Sequence, residues 1–279
     1  MSPKSDLFPL LPDAIRRPED ERDRDGEDVH LNLMTELGQG RKHDSRLAWA
    51  DFLRNVAVFD LVRQSEPTVL VDCGCGENLW LLRWIEQNGL DTMYFGLDGM
   101  KRRTDAVNRF GRGHADMRRA PRGVHHDCSQ ELPFAADTVG TVTCLEAMEH
   151  FCSSYTGVEA FLEEVHRVLM PTGRFVLATP NRAGGVLQHP NCHSWEASHE
   201  ELLRMLRARF EVDTWWTYRA KPHVVRGMEK VSRQLGPGGE PLPLLPRALH
   251  DALIITETMG DEDQPPGNVL YLMTKRFGS

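Results

Sequence analysis

The chain has 279 residues, a formal net charge of −8 and 40% hydrophobic residues, a composition typical of a globular protein with one full-sized core and some additions. No apolar run approaches the roughly 20 residues of a membrane span, and the first residues lack the apolar core of a secretory signal, so we expect a soluble, cytoplasmic protein without a membrane partner. The acidic balance argues against a large nonspecific nucleic-acid surface.

The first 66 residues are predicted to lead into the core. Residues 1–28 carry too much charge to bury one face and are predicted to form a flexible arm. Residues 29–66 are predicted to form a helical extension, because apolar side chains recur at roughly helical spacing over 46–64.

Strands and helices alternate through residues 67–218, which we predict to be the core. A continuous apolar run indicates a buried parallel strand at 68–74, and further strands are predicted at 93–98, 124–128, 138–146, 174–180 and 211–218. Helices are predicted over 78–88, over 158–170, where Pro171 and Gly173 end the pattern, and over 198–210, where Ser198 and Glu201 have capping-box spacing. The final strand lies within 266–279. This alternation predicts an α/β protein with a doubly wound, Rossmann-like sheet of seven mostly parallel strands and an antiparallel last strand.

A proline- and glycine-rich insert, 219–265, separates the last two strands. Because a hairpin needs only a few residues, this insert is a candidate lid, substrate-recognition element or homodimer contact. A surface elaboration is an equally good interpretation.

Two other features favour structural interpretations. The basic segment 101–119 is interpreted as a solvated helix face and loop in preference to a nucleic-acid patch. The six cysteines include no CxxC pair, so we expect neither a structural zinc site nor disulfides, and most of them are interpreted as small buried hydrophobes.

The stretch VLVDCGCGEN, residues 69–78, has the order strand, glycine loop, helix that is typical of a nucleotide-binding turn. Gly74 and Gly76 let the backbone pass close to a ligand, and Asp98 ends the next strand 22 residues after Gly76, where a carboxylate binds ribose hydroxyls. The third glycine of the dinucleotide fingerprint is replaced by Leu79, so the pattern does not favour a nicotinamide cofactor.

These residues resemble the first motif of class I S-adenosylmethionine (SAM) methyltransferases of the type 11 kind, with Asn78 in place of the last glycine. FGLDGM resembles the second motif, and the run from Asp127 through LPF to EAMEHF resembles the segment that follows, with Gly140 in place of an aspartate. The resemblance covers about 68–210 and implies SAM as cofactor. It implies a cofactor site formed by Asp72, Gly74, Cys75, Gly76, Asn78, Asp98, Gly99, Met100, Asp127, Cys128, Leu145 and Glu146.

Chemistry is expected from the segment after the fourth strand. Glu146, Glu149 and His150 have the i, i+3, i+4 spacing of one helix face, and His193 follows in a histidine-rich stretch. The favoured interpretation makes His150, His193 and Glu149 catalytic, as a general base or groups that orient the acceptor. The less favoured alternative is a divalent metal held by these residues and Glu146, a set that resembles that of small-RNA 3′-terminal 2′-O-methyltransferases. A third is that the glutamates only shape the cofactor pocket or cap the helix.

We therefore expect a SAM-dependent methyltransferase that acts on an oxygen or nitrogen of a small-molecule acceptor. The first rival is a metal-assisted RNA 2′-O-methyltransferase, for which nucleic acid would be the partner. The second is a SAM-binding partner subunit without catalytic activity, in which the charged arm and the insert would be docking elements.

Overall fold

The computed structural model describes residues 54–55, 58–59, 61–77, 79–114, 119–182, 193–220, 253–256 and 268–276, with backbone alone for Gln87, 214–220 and 253–256. Contacts divide the chain into a larger unit, Leu61–Thr217 with Glu257–Ser279, and a smaller one, Met1–Asp60 with Tyr218–Thr256. The predicted arm, most of the helical extension and most of the insert lie outside the described residues. Within the extension, 54–55, 58–59 and 61–65 are helical, and the strand Leu253–Thr256 belongs to the smaller unit.

Among the described residues, the larger unit is an α/β fold with seven strands and five helices that follow the helical residues 61–65. The strands are β1 Val69–Cys73, β2 Met93–Asp98, β3 Arg122–His125, β4 Val139–Leu145, β5 Leu169–Pro180, β6 Phe210–Ala220 and β7 Asn268–Lys275. The helices are α1 Trp80–Gln87, α2 Lys101–Gly113, α3 Met148–Phe151, α4 Tyr155–Val168 and α5 His199–Arg207. None of the helices in the described part of the chain is long and apolar enough to cross a membrane.

The sheet confirms the predicted architecture. Its strands lie in the order β3-β2-β1-β4-β5-β7-β6. The first five are mutually parallel, and β7 pairs antiparallel with β5. Because β1 lies between β2 and β4, the loops that follow these strands meet at one edge of the sheet, which we call the carboxyl edge.

Tertiary pairing moves two predicted boundaries. The predicted helix over 158–170 ends at Val168, and β5 begins at Leu169, well before the predicted residue 174. Leu169 pairs with Val139 of β4, so strand pairing begins before the chain reaches Pro171 or Gly173. The third strand is Arg122–His125, two residues before the predicted start, since it pairs with Phe95–Asp98 of β2.

Local sequence signals hold where packing agrees with them. The predicted inward face of α4 is buried at Val158, Phe161, Leu162, Val165 and Val168. The capping box of Ser198 and Glu201 opens α5 as predicted. The basic segment forms the solvated helix α2, in which only Thr104 and Val107 are buried and Lys101 pairs with Asp105.

The predicted burial of most cysteines is confirmed among the described residues. Four of the five described cysteines are buried: Cys73, Cys128, Cys144 and Cys152. Burial raises the pKa of Cys152 to about 12, so this thiol stays protonated and unreactive at neutral pH.

Arg167 of α4 anchors the LPF motif to that helix. Its guanidinium donates to the carbonyl oxygens of Phe134 (2.8 Å) and Leu132 (3.0 Å), and Glu164 accepts from Arg167 at 2.7 Å and from the Leu132 amide at 2.8 Å. The hydrogen bond from Arg167 is the main reason that the pKa of Glu164 is lowered. The ionised carboxylate therefore stabilises this loop.

We expect Glu164→Gln to lower the free energy of unfolding by about 1–2 kcal/mol at pH 7, because a charged acceptor is lost from a half-buried network. Since the folded-state pKa lies below the ordinary value, the difference from wild type is fully present above that ordinary value. It vanishes as pH falls through the lowered folded-state pKa. Urea unfolding of wild type and variant at pH 7 and at pH 3.5 measures the stability difference at each pH.

Glu163→Gln on the same helix is the control. Glu163 is 67% exposed and pairs with Arg209, so its replacement should change stability by less than about 0.5 kcal/mol. Equal losses in the two variants, or a Glu164→Gln loss that does not depend on pH, would contradict the assigned role.

Candidate active site

Asp72 ties the strands together immediately below the carboxyl edge. Its carboxylate accepts from the hydroxyl of Tyr94 in β2 (2.7 Å) and from that of Thr143 in β4 (2.8 Å), and the residue is only 6% exposed. Burial first, and then the charge of Asp72, raises the pKa of Tyr94, so the phenol keeps the proton it donates. Asp72 thus fixes the strand from which the glycine turn departs.

The turn after β1 is bonded to the end of β2. The amides of Gly74 and Cys75 both donate to the carbonyl oxygen of Leu97 (2.8 and 3.0 Å), and the amide of Gly76 donates to the carboxylate of Asp98 (3.2 Å). All three amides are therefore engaged within the chain. A ligand contact here would use carbonyl oxygens or the amide of Gly76, whose bond is the longest.

Gly74 is required at its position for two reasons. Its φ of +75° favours glycine, and a Cβ built there would lie 2.3 Å from Cβ of Ala147 in the loop after β4. Gly76 also has a positive φ, but its Cβ would meet nothing within 4 Å. The close approach of Gly74 to Ala147 therefore joins the glycine turn to the segment that carries Glu149 and His150.

We expect Gly74→Ala to destabilise the fold by about 2–4 kcal/mol, since it adds an overlap with Ala147 to the left-handed backbone strain. Gly76→Ala should cost only the strain, about 1 kcal/mol. Ala147→Gly in the Gly74→Ala background should recover the difference. Chemical unfolding of wild type, Gly74→Ala, Ala147→Gly and the double variant forms the cycle. Equal losses for Gly74→Ala and Gly76→Ala, or no recovery, would show that the contact is not limiting.

Asp98 has room for a further donor. One carboxylate oxygen accepts from the Met100 amide (2.8 Å), and the other accepts from the Gly76 amide and from Arg103, both at 3.2 Å. A carboxylate offers about four acceptor sites, so one ribose hydroxyl fits without displacing a protein donor, whereas two would displace one. Gly99 leaves open space beside it, and Met100 is an exposed apolar side chain at the same edge.

The loop after β3 contributes an exposed acid and a buried nitrogen. Asp127 accepts from the amide of Ser129 (3.0 Å), a bond that lowers its pKa, and Cys128 is buried behind it. The backbone amide of His126 donates to the Asp98 carbonyl, and the Nε2 atom of His126 is buried with no hydrogen-bond partner among the described residues. Such an atom costs free energy unless a ligand or water reaches it, so this edge fits a polar nucleoside. Asn78 lies outside the described residues.

The position of Glu146 differs from the predicted one. The helix face expected for Glu146, Glu149 and His150 does not form, because α3 begins only at Met148 and Glu146 has a left-handed φ of +51° after Leu145, the end of β4. Its amide donates to Ala178 (2.8 Å), and its carboxylate accepts from Asn268 of β7 (2.7 Å). Glu146 is therefore not among the residues that converge below.

Glu149, His150 and His193 do converge, and we call them the Glu-His-His cluster. One potential ligand atom from each lies within 4.8 Å of the others. The two imidazole rings meet edge to face with centroids 4.9 Å apart. Glu149 is buried and accepts from the hydroxyl of Thr179 at the end of β5 (3.2 Å), whereas His150 is exposed. A buried acid beside two imidazoles suits either proton transfer or cation binding.

Backbone bonds bring His193 to this place. The amide of Ser194 donates to the carbonyl oxygen of Glu149 (2.8 Å), and the amide of Arg182 donates to that of Ala197 (2.9 Å). Within the segment, Nδ1 of His193 is bonded to the carboxylate of Glu196. Sequence reasoning missed Glu196; its only signal was the three-residue spacing from His193.

The other histidines and tryptophans of residues 189–216 differ in their surroundings. His199 stacks on Tyr271 and bonds to its hydroxyl (2.7 Å), and burial lowers the pKa of His199, so it is a neutral core residue. Trp195 packs against the core. His189 lies outside the described residues, as do the side chains of Trp215 and Trp216.

Residues 71–177 match the family model described as "methyltransferase domain". The match and the sheet order together are those of a class I methyltransferase domain. The match begins in β1 and ends in β5, so it covers the glycine turn, the Asp98 edge and the Glu-His-His cluster except for His193. A comparison with curated proteins found no match.

Solved structures share the fold of this methyltransferase domain at low identity. Geranyl diphosphate C-methyltransferase from Streptomyces coelicolor A3(2) matches with a TM-score of 0.55 and 14% identity over 99% of both chains. The [4+2]-cyclase SpnF matches with a TM-score of 0.55 and 15% identity over 88% of this chain and 93% of its own. The methyltransferase domain of bacterial CtHen1-CN matches with 0.51 and 13% over 79% and 97%. These likenesses establish the fold and leave the acceptor open.

Proposed function

We propose that this chain transfers a methyl group from SAM to an oxygen or nitrogen of a small-molecule acceptor. The observation that carries the proposal is the Glu-His-His cluster, which stands beside the glycine turn through the contact of Gly74 with Ala147. When bound, SAM supplies an activated methyl group on a sulfonium.

The residues of the chain would do three things. Asp98, Met100 and His126 would hold the nucleoside at the ends of β2 and β3, where open α/β sheets bind ligands. His150 is the exposed member of the cluster and would orient the acceptor or take its proton, while buried Glu149 would stabilise the charge that the imidazole gains. The chain's main contribution is thus positioning, as in other in-line displacements.

Cofactor binding is tested with Asp98→Ala. The loss of a charged acceptor should weaken binding of S-adenosylhomocysteine about 10- to 100-fold in titration calorimetry. Asp105→Ala, which removes an acid on α2 whose side chain is 41% exposed, is the matched control, and Arg103→Gln tests whether losing one protein donor to Asp98 has any effect. Both should bind like wild type. Unchanged affinity in a folded Asp98→Ala protein would contradict the placement.

Catalysis is tested with labelled SAM and the small-molecule fraction of a cell extract, in which wild type should label a product. His150→Ala should lower the rate of label transfer by about 10² while S-adenosylhomocysteine affinity changes less than about threefold, since a base acts on the acceptor. Equal losses in rate and affinity would indicate a structural residue. No labelled product despite cofactor binding would favour the non-catalytic partner subunit.

The second candidate function is metal-assisted methylation of an RNA 2′-hydroxyl, and the cluster geometry favours it specifically. The donor set of one carboxylate and two imidazoles fits a divalent transition ion such as Mn²⁺ better than Mg²⁺. A cation held by Glu149, His150 and His193 would make a nearby hydroxyl more acidic. In that case the imidazoles would be ligands and not bases.

Mn²⁺ titration followed by electron paramagnetic resonance separates the two candidates. If the cluster is a metal site, wild type binds about one ion per chain and Glu149→Gln binds at least about tenfold more weakly, whereas exposed Glu163→Gln is unaffected. Methyl transfer to the 3′ end of an RNA oligonucleotide should then stop on addition of chelator. Absence of Mn²⁺ binding, or activity that survives the chelator, removes this candidate.

A further inference from the structure

The buried carboxylate of Glu196 is the feature of the site that neither proposed function has used. Its side chain is 0% exposed, that of His193 is 6% exposed, and Nδ1 of the imidazole is bonded to one carboxylate oxygen. A carboxylate is withdrawn from water to this degree only at a cost, which its bond to the imidazole offsets. The pair is therefore a specific arrangement and not a surface contact.

We propose that Glu196 is a positioning residue that holds His193 with a proton on Nδ1 and so presents Nε2 to the Glu-His-His cluster. This inference rests on the proposed function, because that function makes the His193 imidazole part of the cluster that acts on the acceptor. An ionised carboxylate can only accept hydrogen bonds, so the bonded nitrogen must carry the proton. Whatever His193 binds besides Glu196, an acceptor hydroxyl or a cation, must then be bound through Nε2.

The backbone supports this assignment from both sides. Ser194, next to the imidazole, donates its amide to Glu149 (2.8 Å), and Ala197, next to the carboxylate, accepts from Arg182 (2.9 Å). Ser198 then caps α5, two residues after Glu196. His193 and Glu196 are thus held at a fixed separation while the ring faces His150, with centroids 4.9 Å apart. Outer-shell carboxylates that fix the tautomer of a functional histidine typically contribute 10- to 100-fold to affinity or activity.

The tautomer is measured by long-range ¹H–¹⁵N correlation spectra of the full chain with ¹⁵N-labelled histidine at pH 8.5, above the ordinary titration range of histidine. His193→Gln identifies the His193 signals among the 12 histidines. Wild type should show mainly the Nδ1–H form. Glu196→Met keeps the approximate volume but removes the acceptor, so the Nε2–H form should predominate, and Glu196→Gln, which keeps an acceptor oxygen, should lie between them.

Glu200→Gln is the matched control, because Glu200 is an exposed carboxylate in the first turn of α5 and should leave the His193 signals unchanged. Circular dichroism checks that each variant folds, and if Glu196→Met does not, the Gln variant decides. Identical His193 signals in wild type and in folded Glu196 variants would overturn the proposal, since other contacts would then set the tautomer.

Binding and transfer separate this inference from the proposed function. Glu196→Met should keep S-adenosylhomocysteine affinity within about threefold and lose about 10- to 100-fold in methyl transfer. A shifted tautomer with undiminished transfer would overturn the positioning role. If the tautomer shifts in the Glu196 variants but wild type binds no S-adenosylhomocysteine, the role of the histidine–carboxylate pair is supported and the proposed function is contradicted.

Discussion

The buried carboxylate of Asp72 is the interaction on which the site depends. Tyr94 and Thr143 donate to it from the strands on either side of β1, so one acid fixes the three central strands relative to each other just below their carboxyl ends. A buried acid is costly unless its acceptor sites are used, and removing either donor would leave part of that cost unmet. The glycine turn and the loops after β2 and β4 depart from the positions that this network sets.

The turn itself shows how tightly the edge is built. Gly74 and Cys75 share the carbonyl oxygen of Leu97, and Gly74 leaves no room for a side chain against Ala147. Strained backbone accompanies this packing, since both Leu79 and Glu146 have a positive φ although neither is glycine. Strain of this kind persists only where the surroundings over-determine it, and it concentrates at functional sites. The two positions flank the predicted cofactor edge on the β1 and β4 sides.

Fold and reaction are separable in this protein. The same architecture is found in a geranyl diphosphate C-methyltransferase and in a [4+2]-cyclase, so the sheet alone does not select a chemistry. The selection must come from the side chains at the carboxyl edge. Here these are a buried glutamate and two imidazoles, one of them backed by a second buried glutamate. Under the proposed function, that set would carry out proton transfer or cation binding at the acceptor, which is why the tautomer of His193 matters.

The sequence by itself determined the alternation of strands and helices, the antiparallel last strand, the glycine turn and the acid at the end of β2, because hydrophobic runs and glycine positions are local signals that packing did not override. It also predicted that Glu149 and His150 lie together in the segment after β4. It did not place Glu146 or reveal Glu196. Only the tertiary structure turned Glu146 toward Asn268, brought His193 against His150 and buried Glu196 behind it. These outcomes rest on bonds between segments more than forty residues apart in the chain, such as the side-chain bond from Asn268 to Glu146 and the backbone bond from Ser194 to Glu149. No local pattern encodes such pairings.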